Sequence, residues 1–312
     1  MSIEFITGDS LPVMAGMPEG KFNLVFGSPP YVNARLYLED GKDLGIARKC
    51  DDWIAWMLDI TEAAIRVCNG PVIWVVGSKT KQHCYQPAPE GLVYEWWKRG
   101  GNHHLWRRCI FHRVGIPGSG GKQGFRADTE DILIFKKPGA LPWANNKACG
   151  KPCKYERGGE MSYRRVDGKR VNDTPHFREA ADGTVKGSHP RNICNTANPG
   201  NVVEEMYTAT EVEQFLAAYE VGDWCHEKVG GGHMGHPLAH KNEAPFPEHL
   251  VERFVLSLCP PGGWVLDPFS GSGTTMSVCC RLGRNGIGID LRESQTKIAQ
   301  ERCHDLQREL FP

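Results

Sequence analysis

The sequence predicts an α/β fold in which a doubly wound, mostly parallel sheet is interrupted by a loop-rich insert. Short apolar runs typical of buried strands alternate with stretches that repeat apolar residues at helical spacing. A glycine-rich turn, DPFSGSGTT at 267–275, joins one strand to a helix. From about 142 to 233 the chain is polar and rich in Gly, Pro, Asn and Lys. We therefore expect one domain built from 1–141 and 234–312, with 142–233 as an inserted module.

The strands and helices before the insert are predicted from apolar periodicity. The stretch 51–67 opens with two acids and repeats apolar residues every three or four positions, as an amphipathic helix does. The run PVIWVV at 71–76 is apolar throughout, as in a strand buried on both faces. The remaining elements are a strand over 3–8 that ends before Asp9, an amphipathic turn over 11–17, a strand over 22–26, a helix over 91–99, and an antiparallel pair over 108–114 and 131–135.

The alternation resumes after the insert, within which one helical piece is expected at 211–219. A helix over 246–258 carries Pro and Glu in its first turn, where both are favourable. It is followed by a strand over 262–266, a helix over 276–282 closed by Gly283, a strand ending at Asp290, and a last helix over 291–307.

Composition and charge set the broad class. The 312 residues are 40% hydrophobic and 24% charged with no net charge, ordinary values for a water-soluble globular protein. No apolar run reaches the length of a membrane span, and the first residues, MSIEFITGDS, lack a signal pattern, so we expect a cytoplasmic protein without membrane contact. The twelve cysteines are expected as free thiols. A zinc site from Cys149, Cys153, Cys194 and Cys225 stays open, but their loose spacing leads us to predict no metal.

A basic stretch without acids runs from 98 to 126 and is interleaved with aromatic residues and the glycine loop GIPGSGG. Such a run is either a solvated face or a surface that follows the phosphates of a nucleic acid. His112 and Arg113 could contact DNA or could brace the glycine loop. The candidate nucleic-acid-binding residues are Arg107, Arg108, His112, Arg113, Lys122 and Arg126.

The stretch SPPY, Ser28 to Tyr31, stops the strand FNLVF. Pro29 and Pro30 fix the backbone and donate no hydrogen bond, yet their carbonyls still accept. Ser28 adds an oxygen and Tyr31 adds a flat ring. A strand therefore ends in rigid acceptors beside an aromatic face, a pattern suited to holding a flat donor.

The glycine turn DPFSGSGTT has the strand, turn and helix order of a nucleotide-type site. Gly271 and Gly273 let the backbone approach a ligand, and Asp290 ends the next strand, where a carboxylate can take ribose hydroxyls. A phosphate-binding P-loop is excluded, because no Lys precedes Thr274 and Gln123 follows Lys122 in the other glycine loop.

Together, SPPY and DPFSGSGTT resemble the S-adenosylmethionine-dependent DNA amino-methyltransferases, which methylate N4 of cytosine or N6 of adenine. SPPY precedes the glycine motif, as in the circularly permuted, beta-ordered DNA enzymes, whereas related RNA and protein methyltransferases usually carry the glycine motif first. The flanks TGDSL, APFPEHLVERF and GIGIDLRESQ agree, and HRVGIPGSGG resembles a phage and bacterial subgroup. The resemblance covers about 1–140 and 230–312. It implies a Rossmann-like methyltransferase sheet and makes the insert a target-recognition module.

The resemblance also implies roles for individual residues. Ser28, Pro29, Pro30 and Tyr31 would be catalytic, and the cofactor would be S-adenosylmethionine. The implied cofactor-binding residues are Asp267 and Phe269 in the pocket, Gly271, Ser272, Gly273 and Thr274 in the turn beside the methionine moiety, Asp290 at the ribose, Asp9 at the adenine amine, and Phe246 in the pocket wall. Asp9 and Asp290 could instead cap local turns or helices, and Tyr31 could be a packing residue.

The rigid acceptors of SPPY have a chemical use in such an enzyme. An amine conjugated to a base ring is a poor nucleophile, because its lone pair is delocalised. Acceptors at Ser28 and the Pro29 carbonyl can bond its hydrogens and favour a tetrahedral nitrogen, while Tyr31 stacks on the flipped base. Ser in the first position favours cytosine N4 over adenine N6. An RNA or protein methyltransferase and a non-catalytic DNA-binding relative are the further alternatives.

Double-stranded DNA is the expected partner. The sequence leaves open whether the protein forms a homodimer and whether it works with a cognate restriction enzyme. The recognition sequence cannot be derived from these residues.

Overall fold

The computed structural model describes residues 1–32, 49–81, 84–100, 105–114, 129–145, 148–149, 237–242 and 247–310. It also gives the backbone of short strands in the intervening segments. Within the described part of the chain, no helix has both the length and the apolar character needed to span a membrane. In the same part, no three His, Cys, Asp or Glu residues cluster as metal ligands would.

A nine-stranded mixed sheet forms the centre of the described structure. Its strands, numbered along the chain, are β1 (Ile3–Thr7), β2 (Leu24–Gly27), β3 (Val72–Val76), β4 (Leu105–Val114), β5 (Thr129–Phe135), β6 (Val202–Val203), β7 (Cys225–Lys228), β8 (Trp264–Asp267) and β9 (Asn285–Asp290). The spatial order is β1-β9-β8-β2-β3-β5-β4-β6, and β7 also pairs with β4. Pairing is parallel from β1 to β3, while β5 is antiparallel to both β3 and β4.

Helices cover both faces of the sheet. They are α1 (Ser10–Ala15), α2 (Cys50–Val67), α3 (Ala88–Lys98), α4 (Glu248–Leu258), α5 (Thr274–Arg281) and α6 (Glu293–Leu310), with a 3-10 turn at Pro237–Lys241. Strand β3 shows how the two layers arise. Val72, Trp74 and Val76 pack in one buried layer with α2, whereas Ile73 and Val75 pack in the other with α4. The uniformly apolar run is therefore explained, because both of its faces are buried.

The two ends of the chain meet in this sheet. β1 pairs with β9, aligning Thr7 with Asp290, and β2 pairs with β8, aligning Val25 with Leu266. Since these four strands are parallel, their carboxyl ends meet at one edge of the sheet. SPPY, the glycine turn, Asp290 and Asp9 all follow those carboxyl ends. The permuted arrangement predicted from motif order is confirmed.

Most predicted elements occur within a few residues of their expected bounds. α3 begins at Ala88 rather than 91, because Pro89 lies in its first turn, where a missing N–H costs nothing. The predicted amphipathic turn after Asp9 is a short helix, α1. β4 and β5 form the predicted antiparallel pair, with Phe111 opposite Glu130 and Ile110 opposite Asp131.

The insert contains its own compact unit. Residues Cys149–Pro199 contact mainly one another and include the hairpins Tyr163–Arg164 with Arg170–Val171 and Phe177–Glu179 with Val185–Gly187. Farther along the chain, β6 and β7 pair in parallel with β4 of the main sheet. The compact unit is thus shorter than the predicted module 142–233. The helix expected at 211–219 lies outside the described residues.

Candidate functional site

The SPPY stretch is held in place by its neighbours in the sheet and in α2. The Ser28 hydroxyl donates to the Val75 carbonyl at 3.1 Å, which leaves lone pairs on Ser28 Oγ for an incoming donor. The Pro30 carbonyl accepts a hydrogen bond from Trp53 Nε1 at 2.7 Å, so this carbonyl anchors the motif to α2. Of the two proline carbonyls, the one at Pro29 is therefore the candidate for accepting from a ligand.

Tyr31 is fixed at both ends of its ring. The ring edge lies against Gly77, where an added Cβ would be 2.8 Å from Tyr31 Cε2. The phenol donates to Glu130 Oε2 at 2.7 Å, and Arg113 Nη1 lies 3.0 Å from Glu130 Oε1. Burial, reinforced by the Glu130 charge, raises the Tyr31 pKa well above 10, so the phenol stays a donor. Arg113 thus braces Glu130. The glycine loop that it was expected to brace lies outside the described residues, so that role and its DNA contact both stay predictions.

The glycine turn takes the left-handed backbone that its sequence predicts. Gly271 has φ 49° and Gly273 has φ 79°, and Gly273 precedes the first residue of α5. Asp290 holds the start of this turn. Its Oδ2 accepts from Gly271 N at 2.9 Å, and its Oδ1 accepts from Arg292 N at 2.9 Å. The local bracing role weighed for Asp290 is therefore present, while its ribose contact stays a prediction.

A buried ion-pair network, missed by the sequence analysis, holds the other half of the turn. Arg302 of α6 is completely buried and donates to the Ser272 carbonyl at 3.1 Å and to Thr274 Oγ1 at 3.2 Å. Its charge is paired with Glu248 in the first turn of α4, and Glu248 also binds Arg281. Arg302 thus fixes the Ser272 carbonyl and the Thr274 hydroxyl, and Glu248, which also binds Arg281, holds Arg302 in place.

Asp267, at the end of β8, brings the two motifs into contact. Its Oδ1 accepts from Phe269 N at 2.9 Å. The same oxygen would lie 3.0 Å from a Cβ at Gly27, the residue just before SPPY, so a side chain at Gly27 would press against Asp267 and the two motifs are in close contact. Asp267 is fully buried, and burial, with a smaller contribution from the Asp290 charge, raises its pKa to about 7.

Several buried polar atoms of the motif have no hydrogen-bond partner among the described residues. They are Asp267 Oδ2, Ser270 Oγ, Ser272 Oγ and Thr275 Oγ1. Among these, the Thr275 side chain lies near enough to Asp267 to lower the pKa of that carboxyl, so the two serine hydroxyls are the clearest orphans. Buried polar atoms normally have hydrogen-bond partners, so a group of orphans points to a polar ligand. The charged amino-acid end of S-adenosylmethionine carries both donors and acceptors. These residues therefore fit the cofactor that the sequence resemblance implies.

We expect the Asp267→Asn variant, without cofactor, to gain stability over the wild-type protein as pH rises. An unfolded Asp titrates near 3.9, whereas Asp267 in the folded protein titrates at about 7. Its contribution to stability is full below pH 3.9 and is lost as pH rises to 7. The neutral amide avoids that loss. Urea unfolding at a series of pH values should show the gain growing between pH 4 and 7 and then levelling off; a gain independent of pH would contradict the assignment.

The remaining predicted cofactor residues lie around this turn. Phe269 packs against Trp56 and Trp74, with ring centroids 5.6 and 5.9 Å away. Asp9 is exposed, and its Oδ1 accepts from Leu11 N at 3.0 Å, which is the capping alternative. The Asn242 side chain, which the sequence analysis missed, packs over Gly271. Phe246 lies outside the described residues.

The basic strand β4 divides into exposed and paired arginines. Arg107 is exposed. Arg108 forms a bidentate pair with Asp131, at 2.7 and 3.0 Å, and lies 3.9 Å from Glu90. His112 is half-buried. Lys122 and Arg126 lie outside the described residues, so of the predicted DNA contacts that the structure describes Arg107 presents its charge most openly.

The chain matches known proteins along most of its length. A family model described as DNA methylase, of the N6 and N4 type, matches residues 22–301. The chain belongs to this DNA methylase family. The type II methyltransferase M.Cfr9I of Citrobacter freundii is 41% identical to this chain over 305 residues. The match covers 95% of this chain and 85% of M.Cfr9I. Matches to some other type II methyltransferases are local and cover 24% of those proteins.

Solved structures share the fold of the methylase. The PvuII cytosine-N4-specific DNA methyltransferase has a TM-score of 0.58 at 15% identity, covering 99% of this chain and 93% of that one. A DNA modification methylase of Thermus thermophilus, solved with S-adenosylmethionine, has a TM-score of 0.54 at 20% identity, covering 97% and 93%. These likenesses confirm the Rossmann-like methyltransferase sheet expected from the sequence.

Proposed function

We propose that the protein transfers a methyl group from S-adenosylmethionine to an exocyclic amine of double-stranded DNA, with cytosine N4 preferred to adenine N6. The observation that carries the proposal is the contact between the two motifs. SPPY and the glycine turn follow neighbouring parallel strands, and Gly27 packs against Asp267. The proposed amine acceptor and the proposed cofactor pocket therefore share one edge of the sheet. Family membership and the solved cofactor complex of the Thermus thermophilus enzyme support the reaction class.

The residues of the glycine turn would hold the cofactor. The orphaned oxygens at Asp267, Ser270, Ser272 and Thr275 would bind its amino-acid end, and Phe269 would line the pocket. When bound, S-adenosylmethionine supplies an electrophilic methyl group on a sulfonium. Asp290 and Asp9 are proposed for the ribose hydroxyls and the adenine amine, since each keeps further lone pairs beyond its present hydrogen bonds.

Ser28 and the Pro29 carbonyl would receive the hydrogens of the target amine. The Ser28 hydroxyl already donates to the Val75 carbonyl, so the lone pairs of its oxygen are the part of the group that would accept from the amine. Trp53 and the prolines hold these groups before the substrate arrives, which reduces reorganisation during the reaction. Tyr31 would stack on the base after it leaves the duplex. We propose that the 142–233 module reads the DNA sequence. Neither a homodimer nor a cognate restriction enzyme is required by this proposal.

The product of the reaction tests the proposal. Unmethylated DNA, RNA and protein are incubated in parallel with the enzyme and tritiated cofactor, and the labelled DNA is digested and its nucleosides are identified by mass spectrometry. We expect N4-methylcytosine in DNA. N6-methyladenine would support the alternative target base, whereas label confined to RNA or protein would overturn the proposal. C5-methylcytosine is not expected, because SPPY offers no cysteine nucleophile.

Ser28→Ala should lower kcat by about tenfold. This is the effect expected when the transition state loses one hydrogen bond to a group whose charge develops during the reaction. Cofactor affinity should not change, because the Ser28 hydroxyl contacts Val75 and not the glycine turn. Steady-state kinetics and calorimetric titration with S-adenosylmethionine separate the two effects. If the variant turns over at the wild-type rate, Ser28 is not an acceptor in the reaction.

Arg107→Ala should weaken binding to every duplex sequence and lower the salt slope of binding by about 1, as loss of one phosphate contact does. Arg108→Ala is the matched comparison on the same strand. Since Asp131 already neutralises Arg108, we expect a smaller change in slope for that variant. DNA affinities of both variants are measured across a series of salt concentrations. Equal changes in the salt slope for Arg107→Ala and Arg108→Ala would contradict the assignment of Arg107 as the exposed phosphate contact and Arg108 as the paired arginine.

A further inference from the structure

We propose that Glu130 is a positioning residue that fixes the orientation of Tyr31 and is itself held by Arg113. The inference rests on the proposed function, because it concerns the ring that would stack on the flipped base. Neither Glu130 nor its connection to Tyr31 was apparent from the sequence motifs. Their connection arises only where β5 and the SPPY loop meet.

The geometry joins three separate parts of the chain through one carboxylate. Tyr31 of the SPPY loop donates to Glu130 Oε2 at 2.7 Å, and Arg113 of β4 pairs with Glu130 Oε1 at 3.0 Å. Each oxygen thus has its own cationic or phenolic donor. The Glu130 side chain is only 10% exposed, so water competes weakly for both bonds.

The neighbouring residue shows that this pairing is specific. Asp131 follows Glu130 directly, and successive side chains of a strand point to opposite faces. Asp131 therefore turns away from Tyr31 and pairs with Arg108. Strand β5 thus presents two cross-strand ion pairs with β4, of which the Glu130 pair reaches Tyr31. This arrangement provides a matched control within the same strand pair.

A fixed ring favours stacking on a flipped base. A tyrosine ring has two side-chain rotations, and freedom about either must be lost when the base arrives. Gly77 limits the ring at its edge, and the Glu130 bond limits it at the phenol. The loss of ring freedom is then complete before binding. Removing Glu130 should therefore slow methyl transfer while leaving the cofactor pocket intact.

The test is a double-mutant cycle on the full chain, with unmethylated duplex DNA and tritiated S-adenosylmethionine. Glu130→Ala should lower kcat about tenfold, and Glu130→Gln should recover part of the rate, because its amide oxygen still accepts from the phenol. In the Tyr31→Phe background, Glu130→Ala should have less than a twofold further effect. Asp131→Ala should stay within twofold of wild type. Calorimetry with S-adenosylmethionine should give wild-type affinity for each variant.

Additive effects of Tyr31→Phe and Glu130→Ala would overturn the proposal, because they would mean that Glu130 acts independently of the ring. Equal decreases of kcat in Glu130→Ala and Asp131→Ala would also overturn the proposal, since they would indicate general damage to the β4–β5 strand pair. If the wild-type protein itself transfers no methyl group to DNA, the proposed function fails instead.

The hydrogen bond from Tyr31 to Glu130, called the tether below, can also be tested by a measurement that does not depend on turnover. The absorbance of tyrosinate is titrated in the wild-type protein and in Glu130→Gln. In each case the same titration of the corresponding Tyr31→Phe variant is subtracted, so that the difference reports Tyr31 alone. Burial and the Glu130 charge both raise the Tyr31 pKa, so loss of that charge should lower it while burial remains. An unchanged Tyr31 titration would contradict the tether, whatever the activity. If Glu130→Ala fails to fold, Glu130→Gln still carries both measurements.

Discussion

Replacing Gly273 with valine should abolish binding of S-adenosylmethionine and destabilise the fold. Gly273 has φ 79°, a backbone conformation that costs an L-residue about 1–2 kcal/mol. In addition, its new Cβ would lie 2.8 Å from Ala299 Cβ and 3.2 Å from Ala299 Cα. Overpacking of this kind costs about 1–3 kcal/mol more, and relieving it moves the turn. Urea unfolding and calorimetric titration measure the two effects.

Gly283 is the matched control for this substitution. It has a similar φ of 68°, but a Cβ there meets nothing within 4 Å. Gly283→Val should therefore show only the backbone cost and should retain cofactor binding. Combining Gly273→Val with Ala299→Gly should recover part of the lost stability, because the atom nearest the new Cβ is removed. Equal losses of folding stability and of cofactor affinity in Gly273→Val and Gly283→Val would show that the contact with Ala299 is unimportant.

Glu248→Ala should be the most destabilising single substitution in the described network, by about 3–5 kcal/mol. The reason is that Arg302 is fully buried, and loss of Glu248 leaves its charge without a carboxylate partner. Cofactor binding should weaken as well, since Arg302 holds Ser272 and Thr274. Chemical unfolding gives the first effect and calorimetry gives the second.

Two further variants separate charge from architecture. Glu252→Ala removes the more exposed partner of Arg281, 3.2 Å away, and should cost no more than about 1 kcal/mol. The pair Glu248→Leu with Arg302→Met removes both buried charges and should recover most of the stability. It should not recover cofactor affinity, because Met donates no hydrogen bond to the Ser272 carbonyl. Recovery of both properties would show that the bonds from Arg302 to the turn do not matter.

The central part of the fold could be predicted because it depends on local patterns. The buried run at β3, the alternation of strands with helices, and the meeting of carboxyl ends in a parallel sheet all follow from apolar periodicity and chain geometry. SPPY and the glycine turn are distant in sequence, and the family resemblance led us to expect them in one pocket. The left-handed backbone at Gly271 and Gly273 was likewise signalled by the residues themselves.

The supporting residues could not be predicted, because their partners are set by tertiary packing. Glu130 and Asp131 are adjacent acids in the sequence, and only the β4–β5 register shows that one reaches Tyr31 while the other pairs with Arg108. Arg302 appears in the sequence as one more basic residue of a polar helix. Its burial against Glu248 depends on how α4 and α6 pack. No local pattern marks either residue.

The order of the strands also constrains how the protein is made. β8 and β9 lie between β1 and β2, so β1 has no partner strand, and β2 has one only on its β3 side, until the two latest strands arrive. A nascent chain leaving the ribosome therefore carries SPPY on a strand with an unpaired backbone edge, which is a template for aggregation. Closure of that gap joins residues as far apart as Ser2 and Asn285, a loop that forms slowly. Translation must pass β9 before the strands around the proposed site can all pair, so messages cut short before that point would yield proteins unable to complete it.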